Sequence, residues 1–420
     1  MSGPRAPFIA ESICDVLPEA RRATLALFRD ACGAPIDQGL VLHFPAPHSY
    51  TGESVVEFQG HGGPMVLKRL LARVLELGAR PAQPGEFTCR AFLNDRIDLA
   101  QAEGVADLIE ASSEEAARSA ALSMVGEFSS RVTALGESLS HLRMHVEACI
   151  DFPEEEIDPA DRESQARQLA ACRAQLQELL SSARQGSILR EGLVVVLVGR
   201  PNVGKSSLLN RFAGDEVAIV TPVPGTTRDY VRATIHLEGV PVHFIDTAGL
   251  RDAADEVERI GVERSWKAIQ EAGALVFLTD SNEDPGLDAS LLERLPAGIP
   301  VAQVRNKVDL SGEPAGLDPG GPARFNVSAK TGAGVEALEG WLLDVAGWKP
   351  TTESVFLARA RHLVGLREAS SALEAAAAQP SLELVAEDLR RAQESLGTIT
   401  GEVSADEILG RIFSAFCIGK

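Results

Sequence analysis

The sequence predicts a multidomain α/β protein in which one α/β domain is inserted into an all-α helical domain, with a small α+β domain ahead of both. Three observations lead there. Apolar runs alternate with helical patterns between about 190 and 346, in the βαβ manner. A proline-free stretch from about Leu99 to Pro153, and Ala- and Leu-rich segments after residue 353, both read as helices. Short strands separated by turn clusters fill the first 94 residues.

Taken in order, Gly39–Phe44 and Ser54–Phe58 read as strands around the turn-forming Pro45-Ala-Pro-His-Ser-Tyr-Thr-Gly52, and Met65–Leu77 reads as a helix, giving an α+β domain over 1–94. Within 95–189, Leu122, Val125, Phe128, Val132, Leu135, Leu139, Leu142, Val146 and Cys149 are spaced by three or four, the seam of one long packed helix. The acidic run Asp151–Asp158 ends it; the run reads as a solvated loop, and no metal is assigned there. A second helix is expected from about Asp161 to Gln185. The α/β domain spans 190–346, and 347–420 returns to helices that would expose their apolar faces unless they packed on the earlier ones.

Composition narrows the function. The 420 residues carry a net charge of −20, which argues against tight non-specific nucleic-acid binding, so any RNA is held locally or by a partner. No apolar run has the length of a membrane span and the first residues lack a secretory signal, so a cytoplasmic protein without membrane contact is expected. The six cysteines show neither C-x-x-C nor zinc spacing and read as free thiols.

The α/β domain carries five ordered loops that together specify guanine-nucleotide chemistry, which makes it a P-loop GTPase (Ras-like α/β) domain. Strand Leu193–Val198 feeds Gly199-Arg-Pro-Asn-Val-Gly-Lys-Ser206, whose glycines let the backbone approach phosphates at a helix start. There Asn202, Val203, Gly204, Lys205, Ser206 and Ser207 are nucleotide-binding candidates; Lys205 reaches the β- and γ-phosphates and Ser206 ligates Mg²⁺. Thr221, Pro222, Val223, Pro224, Gly225, Thr226 and Thr227 form a switch segment in which Thr227 completes the Mg²⁺ shell. Asp246 ends a strand and holds the metal through water, followed by Thr247, Ala248 and Gly249, whose N–H faces the γ-phosphate. Asn306, Lys307, Val308 and Asp309 select the base: the Asp309 carboxylate accepts from both N1–H and the N2 amino group of guanine, a pair that adenine lacks. Ser328, Ala329 and Lys330 support that base by backbone contact.

Leu250 stands where many signalling GTPases place a water-aligning glutamine. Glu258 is a candidate to orient the water and Asn202 to help hold a monovalent cation in place of an arginine finger. An exposed helical glutamate and a loop-shaping asparagine are the alternatives at this point.

The sequence resembles the MnmE (TrmE) tRNA-modification GTPases over nearly its whole length. The resemblance is carried by Asp37-Gln-Gly39, Pro84-Gly-Glu-Phe-Thr88, Arg90-Ala-Phe-Leu-Asn94, Asp98-Leu-Ala-Gln-Ala-Glu103, the five loops, and the terminal Phe416-Cys-Ile-Gly-Lys420. It implies a folate-transferase-like first domain, a helical domain in two segments and an inserted GTPase. It further implies a homodimer through the first domains and potassium-dependent GTP hydrolysis. An MnmG (GidA)-type FAD partner would work with it to install a carboxymethylaminomethyl or aminomethyl group at C5 of the wobble uridine of tRNA. By the family's pattern, Asn202, Thr221, Val223 and Thr226 fall at potassium positions, Ser206 and Thr227 at Mg²⁺, and Glu258 at the water-orienting acid. Glu57, Arg96 and Lys420 fall where the family contacts 5-formyl-tetrahydrofolate or a related folate. Two departures touch that site: Arg96 stands where the family often has Lys, a cation of different geometry, and the family's opening strand with its Gly-Arg-Gly segment does not occur in this sequence. Cys417 is a candidate nucleophile toward C6 of uridine, with a packing or positioning role for the tail as the alternative. A GTPase acting in ribosome assembly and a GTP switch without modification chemistry are the competing functions. The acidic balance and the lack of a basic KH-like module weigh against the first, the folate-type domain and the Cys-Ile-Gly-Lys tail against the second.

Overall fold

The computed structural model describes residues 1–151, 159–214, 233–246, 266–283, 295–296, 298–318, 320–321, 323–349, 355–402 and 412. The chain divides into two compact units, one made of Met1–Ala106, Ser123–Cys172 and Glu368–Lys420, the other of Asp107–Leu122 and Arg173–Arg367.

In the first unit, helix α1 (Ala6–Cys14) and helix α2 (Pro64–Glu76) accompany an antiparallel sheet of β1 (Thr24–Arg29), β2 (Pro35–Phe44) and β3 (Val55–Gln59), in the order β1-β2-β3. Strand β2 alternates buried and exposed residues, the pattern of a sheet with one covered face. Ile9, Ile13, Phe28, Val41, Val56 and Leu70 form the covered core, and Phe28 meets Phe58 edge-on at 5.5 Å, the favoured aromatic geometry. Helices α3 (Glu86–Leu93) and α4 (Leu99–Glu110) follow.

The expected long seam is real but interrupted. It is divided between α5 (Glu114–Met124) and α6 (Glu127–Asp151), because Gly126 takes φ +88°, a conformation that ends a helix and that side chains rarely adopt. Val125, placed in the seam by its spacing, lies in this break and is exposed. From Phe128 onward the seam holds: Phe128, Val132, Leu135, Leu139, Leu142 and Val146 are buried. They belong to a helix that packs on α12 (Leu382–Thr400), whose Leu389, Ala392, Leu396 and Ile399 are buried in turn. Arg143 donates to Gln393 Oε1 at 2.8 Å across this pair.

Helix α7 (Pro159–Glu191) runs past the expected end at Gln185. It continues through Gly186, where a Cβ would lie 1.7 Å from the Phe356 carbonyl oxygen, so a residue without a side chain lets the buried extended segment 355–358 cross the helix.

The second unit holds a seven-stranded sheet in the order β5-β6-β4-β7-β8-β10-β9. Its strands are β4 (Leu193–Gly199), β5 (Ala233–Leu237), β6 (Val240–Asp246), β7 (Ala274–Asp280), β8 (Val301–Asn306), β9 (Gly316–Leu317) and β10 (Arg324–Asn326). The central strands pair in parallel, and β5 and β9 add antiparallel edges. Strand β4 is a continuous apolar run because both its faces are covered. Val195, Leu197, Val276 and Val304 share one core with Leu338 and Leu342 of α10 (Val335–Ala346), while Val196, Val198 and Phe277 share another with Ile269. Helix α8 (Lys205–Ala213) follows β4, the short α9 (Val308–Ser311) follows β8, and α11 (Ala360–Ala378) begins beyond the sheet. The parallel strands β4, β6, β7 and β8 therefore end at Gly199, Asp246, Asp280 and Asn306, the carboxyl edge where open α/β sheets bind ligands.

Candidate nucleotide site

The loop between β4 and α8 is bent by three residues of positive φ: Gly199 (+156°), Asn202 (+65°) and Gly204 (+102°). Two of the three are sterically fixed as glycine. A Cβ on Gly199 would lie 2.4 Å from the Leu278 carbonyl oxygen, and one on Gly204 would lie 2.2 Å from Asn306 Nδ2. Gly204 caps the N-terminus of α8, whose first-turn N–H groups have no partner within the helix and so favour an anion. Val203 is buried beneath the loop, while Asn202, Ser206 and Ser207 are exposed to solvent. The Lys205 ammonium lies over the loop, donating to the Gly199 carbonyl at 2.7 Å, and stands 3.9 Å from Asp246 Oδ1.

The base-selecting loop is tied to this one through a single buried side chain. Asn306, 2% exposed, donates from Nδ2 to the Val203 carbonyl at 2.8 Å and accepts at Oδ1 from the Ala329 amide at 3.0 Å. One amide thus locks three loops that are far apart in sequence. Lys307 adopts φ +68° and its ammonium donates to Asp280 Oδ2 at 2.6 Å. Burial works against ionisation of Asp280, but hydrogen bonds from Lys307 and Asn282 outweigh it and hold the carboxyl below its ordinary range. Val308 is buried. Asp309 is exposed and accepts from the Ser328 hydroxyl at 2.6 Å, which leaves its other oxygen toward solvent.

Two contributors had no signal in the motifs. Arg211, at the last turn of α8, donates from Nε to the Ala329 carbonyl at 3.1 Å and from Nη2 to the Lys330 carbonyl, bracing the Ser328–Lys330 loop from the phosphate side. Asp280 could have been found from its place at the end of the apolar strand Ala274–Leu278, since strand ends of a parallel sheet converge on the site. Nothing in the sequence singles out Arg211.

The structure therefore brings together Val203, Gly204, Lys205, Asp246, Asn306, Lys307, Asp309, Ser328, Ala329 and Lys330 along the carboxyl edge of one sheet. Thr221, Pro222, Val223, Pro224, Gly225, Thr226, Thr227, Thr247, Ala248, Gly249, Glu258, Cys417 and Lys420 lie outside the described residues.

Against known families, the MnmE helical domain matches residues 99–417 and the N-terminus of the GTP-binding protein TrmE matches residues 1–96. The chain belongs to the MnmE family. A tRNA modification GTPase MnmE from Chromobacterium violaceum is 57% identical over 408 residues, covering 96% of this chain and 90% of that protein. Those of Azoarcus sp. and Ralstonia nicotianae are 55% and 54% identical, each covering all of this chain and 94% and 93% of their own lengths. Among solved structures, Aquifex aeolicus Era bound to GDP and aluminium fluoride is 27% identical over 43% of this chain and 66% of its own, with a TM-score of 0.30. As in the MnmE family, the chain joins a TrmE-type N-terminal domain to a helical domain interrupted by a P-loop GTPase domain.

Of the residues expected from the resemblance to contact folate, Glu57 lies on β3 and lines a cavity of about 820 Å³ together with Arg5, Arg80 and Arg90. Arg96 is exposed, packs its stem near Gly52, and is not among the residues lining that cavity. The described cysteines Cys14, Cys32, Cys89, Cys149 and Cys172 are free thiols, and burial pushes the Cys14 thiol up to about 12, leaving it protonated and inert. No described helix is long and apolar enough to cross a membrane.

Proposed function

We propose that this protein binds and hydrolyses GTP and couples hydrolysis to modification of tRNA. The observation that carries the reading is the Asn306 lock, which joins the phosphate loop at Val203 and the base-supporting loop at Ala329 through one buried side chain. Gly204 supports it, because its lack of a side chain admits both the Asn306 amide and a ligand at the α8 N-terminus. Asp309 selects guanine with a fixed pair of acceptors, and Lys205 supplies positive charge where charge builds on the phosphates. The residue types suit a magnesium ion: Ser206 is exposed and follows Lys205 in the chain, the Asp246 carboxylate lies 3.9 Å from the Lys205 ammonium, and by the family's pattern Thr227 supplies a further oxygen.

The finer roles follow the family's pattern. Asn202, Thr221, Val223 and Thr226 hold potassium, whose charge serves in place of an arginine finger, and Glu258 orients the attacking water. By the family's pattern Glu57, Arg96 and Lys420 hold a folate one-carbon donor; of the three, Glu57 lines a cavity with Arg5, Arg80 and Arg90, and a carboxylate beside arginines suits the amino groups and carboxylates of a pterin conjugate. The chain acts as a homodimer in the cytoplasm, with an FAD-dependent MnmG-type partner, on C5 of the wobble uridine, and Cys417 is the candidate nucleophile toward C6. The working domains are 1–94, 95–189, 190–346 and 347–420.

Binding and hydrolysis with GTP against ATP, each in potassium and in sodium, test the reading. Guanine selectivity with faster turnover in potassium is expected. Preference for ATP overturns the GTP reading, and equal rates in the two salts overturn the cation's role. Loss of wobble-uridine modification in cells without the protein, read by nucleoside mass spectrometry, tests the coupling.

A further inference from the structure

Resting on the GTP reading, we propose that the corner between α4 and α5, residues 107–113, is the relay through which the nucleotide-bearing sheet signals to the helices, with Ser113 as its positioning residue. Strands β4 and β6 lie side by side in parallel, Leu193 opposite Val242 and Leu197 opposite Asp246. Their carboxyl ends reach Gly199 and Asp246, beside Lys205. Their opposite ends are fastened to this corner.

The fastenings are directional and polar. Ser113 Oγ donates to the Gly239 carbonyl at 2.9 Å, in the tight turn between β5 and β6, and Ser112 Oγ is hydrogen-bonded to His236 Nε2 of β5 at 2.9 Å. Asp107, 5% exposed, accepts from Arg190 Nε at 3.0 Å and from Arg359 Nη2 at 2.7 Å; Arg190 lies just ahead of β4 and Arg359 just ahead of α11. Approaches at two glycines are equally close. A Cβ on Gly239 would lie 2.5 Å from the Glu115 carboxylate, and one on Gly192 would lie 2.1 Å from the Pro241 carbonyl oxygen. Buried Ala120 of α5 belongs to the same apolar cluster as Ile235, Leu237 and Val240 of the hairpin.

Ser113 joins the hairpin to the start of α5. Its oxygen accepts the Ala116 amide at 3.1 Å, capping the first turn of α5, while its proton goes to Gly239. A slide of the hairpin along the strand direction breaks the second bond and frees the hydroxyl to turn, loosening the start of α5. Asp246 ends β6 and Gly239 immediately precedes it, so a displacement of this strand along its length bears on both. Packing alone would fill this corner with apolar groups. Polar fastenings just ahead of β4 and β6 and on the adjoining β5 instead make it responsive to the position of these strands.

Hydrogen exchange on the full chain, loaded with GDP or with a non-hydrolysable GTP analogue, tests this. Exchange across residues 107–116 should differ by about threefold or more between the two nucleotides, the signature of a local opening equilibrium. In the double variant Ser113→Ala, His236→Ala the difference should vanish while affinity for both nucleotides stays within about twofold. Ser113→Thr, which keeps the hydroxyl, should restore it. A wild-type corner indifferent to nucleotide overturns the proposal whatever the variants do, and so does an unchanged response in the double variant. Failure to bind either guanine nucleotide, read in the same samples, removes the GTP reading and the relay with it, and is thereby told apart from a relay that fails alone.

Discussion

Asn306 Nδ2 lies 2.8 Å from the Val203 carbonyl oxygen, joining two loops 103 positions apart. Asn306→Ala leaves that carbonyl and the Ala329 amide without this partner in a buried setting, at about 1–3 kcal/mol for each group. The urea midpoint should fall accordingly, and guanine-nucleotide affinity should drop by about tenfold or more, because the three loops lose their common brace. Equilibrium unfolding and fluorescent-nucleotide titration check both.

Asp309→Asn replaces one acceptor by a donor. The Ser328 hydroxyl can still donate to the amide oxygen, so the fold should be unaffected. Affinity for GTP should fall by about a hundredfold, and the variant should gain affinity for xanthosine triphosphate, which presents an oxygen where guanine presents an amino group. Competition binding with the two nucleotides measures it.

Glu86 accepts hydrogen bonds from Arg80, the Gln83 amide and Arg90. The Arg80 bond contributes most and burial opposes it; together these contacts hold the carboxyl at about 2, down from 4.5. A depressed carboxylate stabilises the fold fully above 4.5 and ceases to do so as pH falls through about 2. Glu86→Gln should therefore cost about 1 kcal/mol near neutral pH, the scale of a partly exposed ion-pair network. The difference from wild type should shrink as pH falls from 4.5 toward 2, as read by urea unfolding at several pH values.

Gly186→Ala places a methyl group 1.7 Å from the Phe356 carbonyl oxygen. Helix propensity alone would favour alanine by about 1 kcal/mol. The overlap with backbone reverses the sign, and a net loss of about 1–3 kcal/mol is expected by thermal or chemical unfolding.

The described nucleotide loops were legible because each motif couples a residue type to one part of the ligand, and they follow β4, β6, β8 and β10 at one edge of the sheet. The strand Leu193–Gly199 was legible for a different reason, an unbroken apolar run. The division of the seam at Gly126 was not, since the three-and-four spacing runs straight across it and only the backbone's positive φ reveals the stop. The extension of α7 through Gly186 was hidden too: a glycine in a helical pattern signals weakness locally, while its reason lies at Phe356, 170 positions on. Arg211 escaped because its partners are backbone carbonyls, which carry no residue type to read.

The pairing of α6 with α12 fixes a sequence of events during synthesis. Residues 152–381 must leave the ribosome before the strip from Phe128 to Val146 meets its mate, whereas the sheet from Leu193 to Asn326 closes over a shorter span. The inserted unit is therefore expected to mature while its host still shows bare leucines, the interval in which a nascent chain is most in need of a chaperone.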